Sequence, residues 1–232
     1  MTENPSMTGR VVVVAGSGGP AGRAVVARLA ASGARVIAAD RVEQHWDDPR
    51  VSPAVVDLLD EDGTRAWAGE TAARHGGVDG LIHLVGGWRG GKPFAETDLA
   101  DWAELHDLLV RTLQHTTLAF QPHLARSPRA RFAIVSQPAA RRPSQNAPAY
   151  AAAKAAAEAW TLALADALAD ARDAAATILV VRALLTDAMR AERPDAPLAG
   201  LTHVDDLALA VAGLWDRPAA ELNGTRVDLT PA

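Results

Sequence analysis

The stretch Arg10-Val-Val-Val-Val-Ala-Gly16-Ser-Gly-Gly-Pro-Ala-Gly22 decides the fold. Arg10 to Ala15 is a short β-branched run without polar alternation after Arg10, the pattern of a strand covered on both faces. The run passes straight into glycines at 16, 18 and 22, and a helix is expected from about Ala21 to Ser32. Gly33 stops that helix, and Ala34 to Ala39 reads as a second strand ending in Asp40. The glycines allow a sharp turn, close approach to a pyrophosphate and tight helix-on-strand packing, with the helix N-terminus facing the phosphates. Asp40 falls about 20 residues further on, where a carboxylate can accept hydrogen bonds from an adenosine ribose. Strand, turn, helix, strand and acid in this order predict a dinucleotide site built from Gly16, Ser17, Gly18, Ala21, Gly22 and Asp40.

Alternation continues along the chain: a strand at Pro53 to Asp57, a helix at Glu61 to His75, and a strand at Val78 to Val85. Thr97 is the expected cap of a long helix to about Ala125, Arg131 to Ser136 is the fifth strand, and Ala147 to Ala169 the next helix. Thr177 to Arg182 is strand six; Thr202 with Asp205 reads as a capping box for a helix reaching Trp215, and Arg226 to Leu229 closes the set. Strands alternating with helices predict an α/β doubly wound parallel sheet of about seven strands, flanked by helices on both faces. We expect a flexible segment at 1–9 and one domain over 10–232.

Tyr150-Ala-Ala-Ala-Lys154 is the second informative stretch. A helix brings positions four apart onto one face, so a phenol and an ammonium sit side by side. Tyr150 is the single tyrosine of the chain, and Lys154 is one of two lysines, with Lys92 the other. A phenol near pKa 10 is a weak acid-base catalyst at neutral pH, and a fixed cation one turn away is expected to lower it. Asn146 and Pro148 suit the first helical turn, which places Tyr150 near the positive end of the helix dipole.

The chain has 232 residues, of which 49% are hydrophobic and 22% charged, enough for one large core. A net charge of -5 gives no electrostatic reason to bind nucleic acid or an anionic membrane. Cysteine is absent, which excludes disulfides and thiolate metal sites. Residues 1 to 9 are polar, and no apolar run approaches the roughly 20 residues of a membrane span, so a cytoplasmic protein is expected. His83, His106, His115 and His123 have no metal-ligand company in the sequence, so no metal site is expected.

Along its whole length the sequence resembles the short-chain dehydrogenase/reductase family, with a Rossmann fold. The residues that carry the likeness are the glycine turn, Asp57-Leu58, Asp79-Gly-Leu-Ile leading to Gly86, Tyr150 with Lys154, and His203-Val-Asp-Asp-Leu with Asn223-Gly224. The resemblance implies an oxidoreductase that moves hydride between a nicotinamide and a carbonyl or alcohol substrate. It implies that Tyr150 exchanges a proton with the substrate oxygen while Lys154 binds the nicotinamide ribose. Asp57, Leu58, Val85, Gly86, Ala183 and Thr186 then fall at cofactor-contacting positions.

Several family motifs are altered. Pro20 replaces a glycine of the turn, His83-Leu84-Val85-Gly86 replaces NNAG, and Leu109 stands where the family has a helix asparagine. The family serine position carries Gln137, with Ser136 one residue earlier, and Arg182-Ala183 replaces Pro-Gly. Adjacent strand residues point opposite ways, so Ser136 serves only if the loop shifts by one, whereas Gln137 can orient a carbonyl through its amide. Gly86-Gly-Trp-Arg-Gly-Gly91 looks like the corresponding loop of dihydropteridine reductases, which makes a pteridine-type reductase an alternative. A further alternative is a dinucleotide-binding sensor or structural partner without turnover. NAD is the expected cofactor because Asp40 would repel a 2′-phosphate, with NADP possible through Arg41. By the same resemblance the long helix from Asp98 and the Tyr150 helix form a homodimer or homotetramer.

Overall fold

Seven parallel strands form the sheet: β1 (Val11–Ala15), β2 (Arg35–Asp40), β3 (Val51–Val55), β4 (Gly80–His83), β5 (Ala130–Ser136), β6 (Ala174–Val180) and β7 (Arg226–Asp228). Their order across the sheet is β3-β2-β1-β4-β5-β6-β7, so the direction of winding reverses between β1 and β4. The computed structural model describes residues 7–193, 195 and 197–231. The helices are α1 (Pro20–Ala31), α2 (Glu61–His75), α3 (Leu99–His106), α4 (Thr112–Arg126), α5 (Pro148–Ala167), α6 (Asp187–Glu192) and α7 (Val204–Ala212), with a last short turn at Ala219–Leu222.

Strand periodicity divides the core in two. Val12 and Val14 of β1 and Ala175 and Leu179 of β6 face α1 and α7. Val11 and Val13, with Ala174, Ala176, Ile178 and Val180, face α2, α4 and α5. Both faces of each central strand are therefore covered, which is why the sequence shows continuous apolar runs there. Each fully buried aliphatic side chain contributes about 1.5–3 kcal/mol, so the site rests on a rigid sheet.

Several expectations are corrected. Met7, within the segment taken as flexible, is fully buried in the core beside α1, and its carbonyl accepts from the Arg10 amide. Burying an unbranched thioether outweighs ordering a few residues; residues 1–6 lie outside the described residues. The long helix is not capped by Thr97, whose hydroxyl donates to the Phe94 carbonyl; Asp98 caps α3 by accepting from the Ala100 amide. The helix itself runs on to Arg126 as expected, with a π turn at Asp107–Arg111 between its α-helical parts α3 and α4. Asn146 does not cap α5, which starts at Pro148 after Ala147. Thr202 instead donates to the Leu229 carbonyl, while His203 caps α7 by accepting from the Asp205 amide. At Thr202 a partner brought in by tertiary packing, the Leu229 carbonyl, won over the local pattern, whereas at Thr97 and His203 the bonds that form are themselves local.

Candidate active site

The carboxyl ends of β1, β4, β5 and β6 open into a cleft of about 640 Å³. Its walls include Gly16, Ala21, Gly22, Val85, Gly86, Ser136, Gln137, Tyr150, Lys154, Ala183 and Thr186. A second hollow of about 220 Å³ holds Asp40, Arg41, Asp57 and Leu58 and shares Gly16, Gly19, Leu84, Val85 and Gly86 with the first. Fifteen of the residues expected from the sequence thus line one continuous trough at the topological switch point, where such sheets bind ligands. Ser17 and Gly18 lie beside the trough rather than on its wall.

The glycine turn is held from below. Gly16 sits at φ +82, and a Cβ there would come within 2.8 Å of the Leu84 and Val85 backbone. A Cβ on Gly22 would lie 2.1 Å from the Gly16 carbonyl oxygen, so the helix meets the turn only without a side chain. The amides of Gly16 and Ser17 donate to the Ala39 carbonyl at 2.9 and 3.0 Å, and that of Gly18 donates to Asp40 Oδ2 at 2.8 Å. Asp40 Oδ1 accepts from the Arg41 amide at 2.8 Å. Pro20 has no amide hydrogen, so the first-turn donors left for an anion are Ala21 and Gly22, preceded by Gly19.

At the other end of the trough three residues of α5 face the end of β5. Lys154 Nζ donates to the Val135 carbonyl at 2.7 Å and lies 5.8 Å from the centroid of the Tyr150 ring. The Gln137 side chain is the polar group that acts on the Tyr150 hydroxyl, favouring its ionised form. Ser136 points away, and its hydroxyl donates to Glu158 Oε1 at 2.6 Å. Ser136, the last residue of β5, thus meets Glu158 of α5, and Gln137 stands just beyond the end of the strand.

Electrostatics correct one expectation outright. Burial raises the Tyr150 phenol above its ordinary value, and the Gln137 hydrogen bond offsets that only in part. Lys154, whose ammonium donates to the Val135 carbonyl, is itself pushed down to about 8 by desolvation, against the pull of Glu158. His83, at the first position of the altered NNAG, is buried between the Thr112 and Thr116 hydroxyls at 3.3 and 3.2 Å. Desolvation first, and the Lys154 charge second, depress it to about 3, so it is a neutral wall of the cleft.

The loop after β4 is anchored at both flanks. Arg89 pairs with Glu104 of α3, and the Gly91 amide donates to the Asn146 carbonyl at 2.7 Å, just before α5. Trp88 is left 56% exposed at the rim of the cleft. Leu109, at the family asparagine position, is packed in an apolar cluster with Ala153 and borders Gly86. Sequence reasoning missed Glu158 and Arg226, which pair behind Ser136 at 3.0 Å. Glu158 had a signal, being four residues from Lys154 on the same helix face; Arg226 had none.

A family model for short chain dehydrogenases matches residues 10–196. The chain belongs to the short-chain dehydrogenase family. It is 32% identical over 173 residues to a protein of Streptomyces violaceoruber named as ketoacyl reductase 2 of the granaticin polyketide synthase, covering 69% of this chain and 68% of that one. It is 29% identical over 110 residues to a 2,5-dichloro-2,5-cyclohexadiene-1,4-diol dehydrogenase of Sphingobium indicum. That match takes in 45% of this chain and spans 44% of that relative's length. Among solved structures, 3-ketoacyl-(acyl-carrier-protein) reductase from Brucella melitensis, complexed with NADH, superposes with a TM-score of 0.81 at 24% identity, covering 96% of this chain and 97% of the other. Among the described residues no helix is long and apolar enough to cross a membrane.

Proposed function

We propose that this protein is an NAD(P)-dependent oxidoreductase that reduces a carbonyl substrate, with Tyr150 as proton donor. The observation that carries this reading is the convergence of the phenol, the Gln137 amide and the Lys154 ammonium on the cleft at the end of β5. The trough fits the cofactor: unspent amides at the start of α1 suit a diphosphate, Asp40 suits a ribose diol, and Lys154 suits the second ribose. When bound, a nicotinamide supplies the hydride. The chain's own part is acid catalysis and alignment. A phenol held neutral by burial keeps its proton until a developing alkoxide draws it off, and the Gln137 amide fixes the direction of the hydroxyl. His83 contributes no charge, and Leu109 keeps the helix side dry.

Asp40 favours NAD(H), with its carboxylate fixed by the Gly18 and Arg41 amides toward the adenosine side. Titration in which NADPH binds more tightly than NADH would remove that preference. The exposed Leu118 on α4 and Leu162 on α5 support pairing of two copies through these helices, and light scattering at micromolar concentration checks it. The decisive experiment is turnover of a panel of ketones and quinonoid pteridines with NADH and with NADPH. Reduction of ketones supports the reading; activity confined to pteridines moves the assignment to the pteridine-type alternative, and cofactor binding without turnover of any substrate rejects catalysis.

A further inference from the structure

Behind the proposed proton donor lies a buried ion pair. Glu158 and Arg226 side chains are 8% and 19% exposed, and Arg226 Nε reaches both carboxylate oxygens at 3.1 and 3.0 Å. Arg226 Nη2 donates at 3.0 Å to Glu158 Oε1 and at 3.1 Å to the Gln137 carbonyl. Glu158 also accepts from Ser136, and the exposed Arg141 stands 3.9 Å from its other oxygen. Three successive residues at the end of β5 are thereby tied down: Val135 through its carbonyl to Lys154, Ser136 through its hydroxyl to Glu158, and Gln137 through its carbonyl to Arg226. On α5 the matching residues Tyr150, Lys154 and Glu158 follow at intervals of four and form one stripe.

A buried pair of this kind gives little net stability over apolar residues of the same volume, so its place behind the cleft calls for another use. We propose that Glu158 and Arg226 are positioning residues of this site: together they lock residues 135–137 so that the Gln137 amide meets the Tyr150 hydroxyl, and Glu158 supplies a counter-charge to Lys154. This rests on the reading of Tyr150 as proton donor. With Gln137 at the family serine position, the orienting group has a longer, freer side chain than serine, and its backbone needs a firmer hold. The groups that face Lys154 are Glu158 and Tyr150 on its own helix and the neutral His83 from β4, with Arg226 and Arg141 lying beyond Glu158.

Two variants test the pair, each measured for kcat, cofactor KM, pH profile and thermal unfolding. Arg226→Lys keeps the charge but cannot fork between Glu158 and the Gln137 carbonyl. Its kcat is expected to fall about ten- to a hundredfold, the size of a small misplacement, with cofactor KM within about twofold. Glu158→Gln keeps the shape and removes the counter-charge, so the alkaline limb of kcat/KM for cofactor moves to lower pH, whereas Arg226→Lys leaves that limb in place. Wild-type kcat in Arg226→Lys, even with a lowered unfolding midpoint, overturns the proposal. If Glu158→Gln does not fold, Arg226→Lys decides alone on the same kcat criterion. Tyr150→Phe run beside them separates the two levels: lost turnover there with both pair variants at wild-type kcat and pH limb rejects the pair's role only, while full turnover rejects the proton donor itself.

Discussion

Strand β5 ends in a buried arginine cluster at each end, and the two do different things. At the amino end Arg131, fully buried, donates to the carbonyls of Leu214, Ala130, Asp173 and Arg217 at 2.6 to 2.9 Å and pairs with Asp173 Oδ1 at 3.1 Å. At the carboxyl end Arg226 gives most of its donors to the Glu158 carboxylate, which lies one helical turn from Lys154. Arg131 satisfies loop backbone that would otherwise be buried without donors, and no wall of the cleft depends on it. The cluster at the other end holds side chains that line the cleft. Similar chemistry is spent on stability at one end of the strand and on geometry at the other, as expected when ligands bind beyond the carboxyl ends of parallel strands.

The sharpest test breaks function at one end and stability at the other. Tyr150→Phe keeps the ring and its packing but removes the proton, and turnover is expected to fall 10²- to 10⁴-fold with cofactor affinity and unfolding midpoint nearly unchanged. Arg131→Met leaves four carbonyls and Asp173 short of a buried donor and is expected to cost about 3–5 kcal/mol in denaturant unfolding. The folded fraction of that variant keeps the kcat of the parent. Loss of kcat without loss of stability in Arg131→Met would erase the contrast between the two ends.

A smaller effect separates them by pH. Lys154 in the folded protein titrates at about 8, below its ordinary 10.5, so the ammonium that suits a cofactor ribose is present at pH 7 and lost above about pH 8. The dissociation constant for NADH, read by fluorescence titration, is expected to rise by up to about tenfold per pH unit above that point. Lys154→Met should flatten the curve and Arg131→Met should leave it alone. Stability runs in the opposite sense: the cost of burying the ammonium is complete below pH 8 and is relieved as pH rises from there toward 10.5. Smallest of all is Asp40→Ala, far from both clusters, which should narrow the preference for NADH over NADPH in paired titrations and leave kcat near that of the parent.

The sequence by itself determined the doubly wound sheet, the glycine turn, Asp40 and the Tyr150–Lys154 pair, because all of these are written in local periods. Strand runs, a turn that only glycine fits at 16 and 22, and an i, i+4 spacing need no knowledge of distant residues. Tertiary structure alone decided which neighbour each group would meet. It gave Ser136 to Glu158 and the Tyr150 hydroxyl to Gln137, brought Arg226 from the last strand onto both, and took Met7 into the core. It also set the sign of the phenol shift: spacing supplies a cation nearby, but desolvation is a property of everything packed around the ring, and here it raises the phenol against the Gln137 side chain.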